Sequence, residues 1–205
     1  KLRALAYVDD QLPIAATSAG LQLRANALSN FLDMHGGCLN LEKTYHGAIT
    51  SSGDPPPLVS GYSYNSDGVK ISRSFRVVKS DEPWKYLGVY FTTGLDFTFQ
   101  IKKLTKGLTG LLHSLRSYDL TPDLRVYLIN SVVIPRMLWA AQFAMPSDEQ
   151  LRKWDSTIQK HVNSSLGVQK VSPHSDQLNL PTKLRGLHLM SIKEVMTRQS
   201  LQNLE

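Results

Sequence analysis

The spacing of apolar and polar positions changes several times along the chain, and each change marks an element. Residues 2–8 (LRALAYV) alternate loosely and are rich in strand formers. Residues 12–16 (LPIAA) can pair back on them, which puts Asp9 and Asp10 at a hairpin tip. Pro13 has no N–H to give a neighbouring strand, so this is an edge or bulge position. From Ser18 the period lengthens. Leu21, Ala25, Leu28 and Leu32 fall at helical spacing, with Thr17 or Ser18 to cap the start and Gly36-Gly37 to end it. A short strand over Leu39–Leu41 follows. Residues 51–57 (SSGDPPP) form a loop, and 59–79 read as a hairpin around Ser66-Asp67-Gly68. Trp84 to Phe91 read as one strand.

After Asp96 the helical period dominates. Ile101, Leu104, Leu108, Leu111 and Leu115 form one stripe, and Lys102, Lys106 and His113 lie on another face. Thr121-Pro122-Asp123 starts a second helix. It is apolar nearly all round, which predicts a central position, and Pro135 should kink it. Ser147-x-x-Gln150 is a capping-box pattern for a third helix bearing Leu151, Trp154, Ile158 and Val162. Trp84, Trp139 and Trp154 are expected in the core. From Gly167 onward the pattern weakens. The expected fold class is α+β: antiparallel strands plus a helix over residues 1–95, then a helical region over 96–166 and a connector over 167–205.

Charge divides the chain the same way. Residues 1–100 carry nine Lys/Arg and nine Asp/Glu, so the whole net charge of +6 lies in the second half. A basic half suits a polyanion, although a solvated basic face is the plainer reading. The single cysteine, Cys38, excludes an internal disulfide and favours an intracellular setting. The longest apolar stretch, Val126 to Met145, is broken by Asn130, Pro135, Arg136 and Gln142, so a buried helix is expected there rather than a membrane span.

Asp9-Asp10 is the stretch that carries chemistry. Two carboxylates at one turn repel, and each pKa rises unless a cation lies between them. Mg²⁺ or Mn²⁺ would make the arrangement favourable, because both take hard oxygen ligands and bind phosphate oxygens. Alone, Asp-Asp is also a common turn dipeptide. Its surroundings decide more.

Leu5-Ala6-Tyr7-Val8-Asp9-Asp10 resembles the signature strand-turn of reverse transcriptases. Further segments resemble the family in the family's order. Leu28-Ser29-Asn30-Phe31 lies on the following helix. Gly36-Gly37-Cys38-Leu39-Asn40-Leu41-Glu42-Lys43-Thr44 is similar to a glycine, leucine, asparagine, lysine, threonine segment. Tyr86-Leu87-Gly88-Val89 resembles the strand that grips the primer end, and Val132-Val133-Ile134-Pro135 and Leu180-Pro181 to Arg185-Gly186-Leu187 resemble the thumb and following region of non-LTR retrotransposon enzymes. Val8 departs from the alanine more usual there.

The resemblance implies an RNA-directed DNA polymerase: residues 1–95 the C-terminal part of the palm, 96–166 the thumb, 167–205 its extension. Asp9 and Asp10 would be metal ligands for two Mg²⁺ (or Mn²⁺) ions. Lys43 would lie near the triphosphate as a general acid. Tyr7 and Val8 would neighbour the primer end, and Tyr86, Leu87 and Gly88 would form the primer grip, with Gly88 letting two backbones approach. Lys102, Lys106, Arg125 and Arg136 are candidates for phosphate contacts, with Arg125 and Arg136 on one helix face. The implied partners are an RNA template, a DNA primer or target, a deoxynucleoside triphosphate and the rest of a polyprotein, including fingers and an endonuclease. The implied setting is the nucleus or a cytoplasmic ribonucleoprotein, with no membrane. A third aspartate would come from an earlier strand, so the 205 residues alone are expected to be inactive. A group II intron maturase, or a decayed or domesticated nucleic-acid-binding module, is the alternative.

Overall fold

The structure, a computed structural model, describes residues 4–7, 10–49, 58–166, 178–181 and 186–202. The fold is mixed α+β, as the periodicity predicts. The chain divides into two compact units, Lys1–Asp96 and Phe97–Glu205.

In the first unit, β1 (Ala4–Tyr7) pairs antiparallel with β2 (Asp10–Pro13), with Tyr7 opposite Asp10 and Ala4 opposite Pro13. The expected hairpin is present but its second strand starts at Asp10 rather than Leu12, so Asp10 is a strand residue and not part of the tip, and Pro13 sits at the open end. Helix α1 (Ser18–Met34) starts where the Thr17 hydroxyl accepts the Gly20 N–H at 3.1 Å. It ends in a Schellman turn: Gly36 and Gly37 donate to the Asp33 and Leu32 carbonyls at 3.1 and 2.8 Å. Gly36, at φ +69°, takes the left-handed conformation that a β-carbon disfavours.

The strand expected over Leu39–Leu41 is not formed. Asn40 turns the chain instead: its side chain accepts the Lys43 N–H at 3.1 Å, and its carbonyl accepts the Thr44 hydroxyl at 2.7 Å. An asparagine that bonds its own backbone in this way competes with a sheet ladder. The strand begins later, as β3 (Tyr45–His46). Strands β4 (Ser60–Tyr64) and β5 (Lys70–Ser74) form the predicted hairpin. The Asn65 side chain pins its turn by accepting the N–H groups of Asp67 and Val69 at 3.0 and 2.8 Å. Then β6 (Arg76–Val77) pairs parallel with β3.

The hairpin of β4 and β5 docks on α1 through polar and apolar contacts together. The Gln22 side chain accepts the Ser60 N–H at 2.9 Å and donates to the Ser60 carbonyl at 2.8 Å. Tyr62 and Tyr64 hydroxyls reach Asn30 and Asp33 at 2.7 and 3.0 Å. Beneath them Ala25, Val59 and Phe75 form a small core, flanked by Leu21, Leu39 and Leu41. Gly61 is required there, because a β-carbon would lie 2.6 Å from the Phe75 ring.

The strand predicted from Trp84 to Phe91 is in fact two, β7 (Trp84–Tyr86) and β8 (Val89–Phe91), folded into a tight hairpin. Leu87 and Gly88 are its turn, at φ +47° and +84°. Two successive positive φ values give the turn whose twist suits a two-residue hairpin. Gly88 is therefore a turn residue.

The second unit is helical among the described residues. Helix α2 (Thr98–Arg116) buries Leu108 and Leu112 and packs Ile101, Leu104, Leu111 and Leu115 around them, as the stripe predicts. Helix α3 (Pro122–Leu128) is capped by the Thr121 hydroxyl. A π-helical turn, Ile129–Val133, then leads into α4 (Ile134–Ala144). The irregularity expected at Pro135 takes this form. Proline has no N–H for the carbonyl four residues back and its ring crowds that carbonyl, and the wider turn relieves the conflict. Helix α5 (Asp148–Ser165) is capped by the Ser147 hydroxyl, which accepts the Gln150 N–H at 3.3 Å.

Helix α6 (Ile192–Gln202) completes the unit and was not foreseen. Its start is held from α5. The Asp155 carboxylate accepts the Ile192 and Lys193 N–H groups at 2.7 and 3.3 Å and the Ser191 hydroxyl at 2.7 Å. Asn130 in the π turn clamps the approach, donating to the His188 carbonyl at 2.8 Å and accepting the Met190 N–H at 3.0 Å.

Trp154, Ile158, Val162, Ile129, Ile134 and Met137 are the centre of one large core. The Trp154 indole N–H donates to the Thr105 hydroxyl at 2.9 Å, which satisfies its polar edge inside that core. Trp139 is not in the core. It is 52% exposed and lies edge-on to Phe143, and Leu124, Tyr127 and Val132 are exposed as well. The helix is thus apolar all round but buried on one side only. No helix among the described residues is long and apolar enough to cross a membrane.

Candidate functional site

In the first unit a residue missed in the sequence ties the Lys43-Thr44 segment to the β7–β8 hairpin. Tyr45 follows the Lys43-Thr44 pair. Its hydroxyl donates to the Lys85 carbonyl at 2.8 Å, one residue before the Tyr86-Leu87-Gly88 turn. Its ring meets Trp84 edge-on at 6.1 Å, and Trp84 stacks on Phe91 at 5.3 Å. Its phenol pKa is raised, first by burial and also by the nearby charge of Asp10, while the bond to Lys85 acts in the opposite direction. Tyr45 therefore links the segment after the Asn40 turn to the β7–β8 hairpin, within electrostatic range of Asp10. An aromatic residue directly after a charged turn was the available signal.

Asp10 opens β2 and is exposed. Its carboxylate makes no hydrogen bond or ion pair among the described residues, which leaves its oxygens available to a cation. Val8 and Asp9 lie outside the described residues, and of Tyr7 only the strand position is described. No group of three or more His, Cys, Asp or Glu placed to hold a metal occurs among the described residues. By chemistry, two adjacent carboxylates suit Mg²⁺ or Mn²⁺ and would call for further oxygen ligands. Lys43 is exposed, with its N–H held by Asn40 and its ammonium in solvent. Tyr86 and Leu87 are half-buried and Gly88 is exposed.

In the helical unit, Lys102 and Lys106 are exposed on α2, as is Arg136 on α4. Arg125 is not. It is 6% exposed, so it does not share a solvent face with Arg136. A π turn between them re-phases the helix by about one residue, which spacing alone does not reveal.

No protein-family model matches the chain. Among curated proteins, it is 27% identical over 202 residues to the Pol polyprotein of the type-2 retrotransposable element R2DM of Drosophila melanogaster, covering 98% of this chain and 18% of that protein. It is also 27% identical over 202 residues to the Pol polyprotein of a type-1 element R2 of Bradysia coprophila, covering 95% and 21%. A third R2 Pol polyprotein, from Nasonia vitripennis, is 24% identical over 194 residues, covering 91% and 18%. The chain is similar to the R2 Pol polyproteins. The resemblance to non-LTR retrotransposon proteins read from the sequence holds over nearly the whole chain. The chain spans about a fifth of the length of these R2 relatives.

Proposed function

We propose that the chain is the later palm and the thumb of an RNA-directed DNA polymerase, acting as part of a longer polypeptide. The observation that supports this reading is Tyr45, which follows the Lys43 turn, donates to Lys85 beside the Tyr86-Leu87-Gly88 hairpin and lies within electrostatic range of Asp10. These are the three segments in which a reverse transcriptase would hold its metal, its triphosphate and its primer end. Residues 1–95 would supply the palm, 96–166 the thumb and 167–205 its extension.

On this reading Asp9 and Asp10 hold divalent cations together with oxygen ligands from elsewhere. Bound there, such ions neutralise phosphate charge and favour an ionised primer hydroxyl. Lys43 reaches the triphosphate with a mobile ammonium and donates a proton to the departing pyrophosphate. The β7–β8 turn presents backbone to the primer end. Tyr45 holds that turn against the segment that follows Lys43, so it positions the two without touching substrate. Exposed Lys102, Lys106 and Arg136 would meet template and primer phosphates.

Primer extension on an RNA template by the longer polypeptide is the test. Asp9→Asn should abolish extension, and Asp10→Asn and Lys43→Ala should reduce it by about a hundredfold, as for loss of a general acid. Full activity in Asp9→Asn would end the reading.

A further inference from the structure

The helical unit holds a second constellation, built around Arg125. There Arg125 runs under the end of α2, where its Nη1 donates to the Leu115 carbonyl at 2.8 Å and its Nη2 to the Tyr118 carbonyl at 3.4 Å. Its Nε is buried and makes no hydrogen bond among the described residues. Nη1 also lies 3.4 Å from Nε2 of His161 on α5, which is 3% exposed. From the other side Arg116 brings its Nε to 3.4 Å from the His161 Nδ1. With Ser164 and Ser165 these groups line a cavity of about 200 Å³.

The arrangement has more donors than acceptors. A guanidinium only donates, and a neutral imidazole accepts at one nitrogen and donates at the other. Whichever tautomer His161 adopts, one ring N–H faces a guanidinium N–H. Neither arginine has a carboxylate partner among the described residues. Tying the carbonyls at the end of α2 accounts for Nη1 and Nη2 of Arg125. It does not account for Nε, nor for a second guanidinium brought to the same buried ring. The carbonyl ends of α2 and α5 carry about half a negative charge each, less than two full guanidinium charges. A species with several acceptors and negative charge completes the set. Phosphate does so, and a guanidinium fork matches its oxygens. At about 30 Å³ per water the cavity has room for the group and part of its hydration.

We propose that this cavity binds a phosphate group, with Arg125 and His161 at its floor and Arg116 and Ser164 at its rim. The readout needs no catalysis, so failure of this site and failure of the polymerase reading are distinguishable. The phosphate can belong to a nucleic-acid backbone or be free, and the experiment separates the two.

The test follows the ring resonances of His161 in the 205-residue chain. Inorganic phosphate is titrated against chloride of equal ionic strength, and in parallel a short single-stranded RNA without terminal phosphates. Saturable shifts are expected with phosphate, and Arg116→Gln should weaken binding about tenfold, as for loss of a charged hydrogen bond. Arg116 is exposed, so this variant keeps the fold, and Arg152→Gln, on the exposed face of α5, should change nothing. If RNA moves the same resonances and Arg116→Gln weakens it equally, the site takes a backbone phosphate. If only inorganic phosphate does, the site takes a free phosphate group. No saturable shift with either probe, or shifts indifferent to Arg116→Gln, would overturn the proposal.

Discussion

The two units of this chain reach stability by different routes. Among the described residues, the helical unit closes fifteen buried residues into one core, from Leu108 on α2 to Ile192 on α6. Among the described residues of the α+β unit, the buried core cluster is Ala25, Val59 and Phe75. The described strands form four separate two-stranded pairs, joined to their surroundings largely by side-chain hydrogen bonds such as those of Gln22, Tyr62 and Tyr45. A helix satisfies its own backbone, so its stability rests on the apolar face it buries. A two-stranded pair leaves each outer edge open, and it is marginal alone. The same length of chain therefore gives a unit held by packing and a unit held by polar latches. The candidate polymerase residues lie mostly in the second kind.

The contrast can be broken most sharply at Trp154. Trp154→Ala should cost about 3–5 kcal/mol, because it empties the centre of the helical core. Urea unfolding of the chain, followed by far-ultraviolet circular dichroism, would show the loss, and a cost below 1 kcal/mol would mean the core is not cooperative.

Acid should act next, through His161. Its pKa is pushed down to about 4 by burial and by Arg125 and Arg116. The unfolded imidazole titrates near 6.5. Between these values the unfolded chain takes up a proton that the folded chain refuses. The contribution is thus complete above pH 6.5 and is lost as pH falls to about 4, on the order of 2–3 kcal/mol. Thermal unfolding across that range should show the decline, and His161→Gln should flatten it.

Asp155→Ala removes the carboxylate that caps α6 and should cost about 1–2 kcal/mol. Hydrogen exchange should then open Ile192 and Lys193 before the rest of the helical unit. The smallest effect is expected in the α+β unit and has the opposite sign. Leu87 holds φ +47°, which a leucine pays for. Leu87→Asn should stabilise by about 0.5–1 kcal/mol, read as a shift in the urea midpoint.

These two units were also unequally legible. Helices α1, α2, α3 and α5 announce themselves through Thr17, Thr121, Ser147 and their apolar stripes, because capping and periodicity are local. The β4–β5 hairpin does the same through Ser66-Asp67-Gly68, while the part of Asn65 shows only in the structure. The turn at Leu87-Gly88 is hidden, because leucine is no turn signal and the alternation runs straight through it. The Asn40 turn was hidden by two leucines that suggest a strand and in fact face the Ala25 core. Helix α6 depends on a cap supplied by Asp155, thirty-seven residues upstream of Ile192, which no window along the chain can see. The site follows the same rule. Asp10, Lys43 and the Tyr86–Gly88 segment were readable as short patterns. Tyr45 and His161 matter through partners 40 and 36 or more residues away, Lys85 for the one and Arg125 and Arg116 for the other.

The π turn at Ile129–Val133 has a consequence for inheritance as well as for shape. Such a turn is an α-helix with one residue too many, a dislocation in an otherwise regular screw. Deleting a single residue there would restore the thread and leave the turns beyond it facing as they do now, because the wide turn absorbs the extra residue locally. Trp139 and Phe143 would stay toward solvent, and Met137 and Ala141 would stay in the core. A point substitution cannot remove the dislocation; only a deletion can.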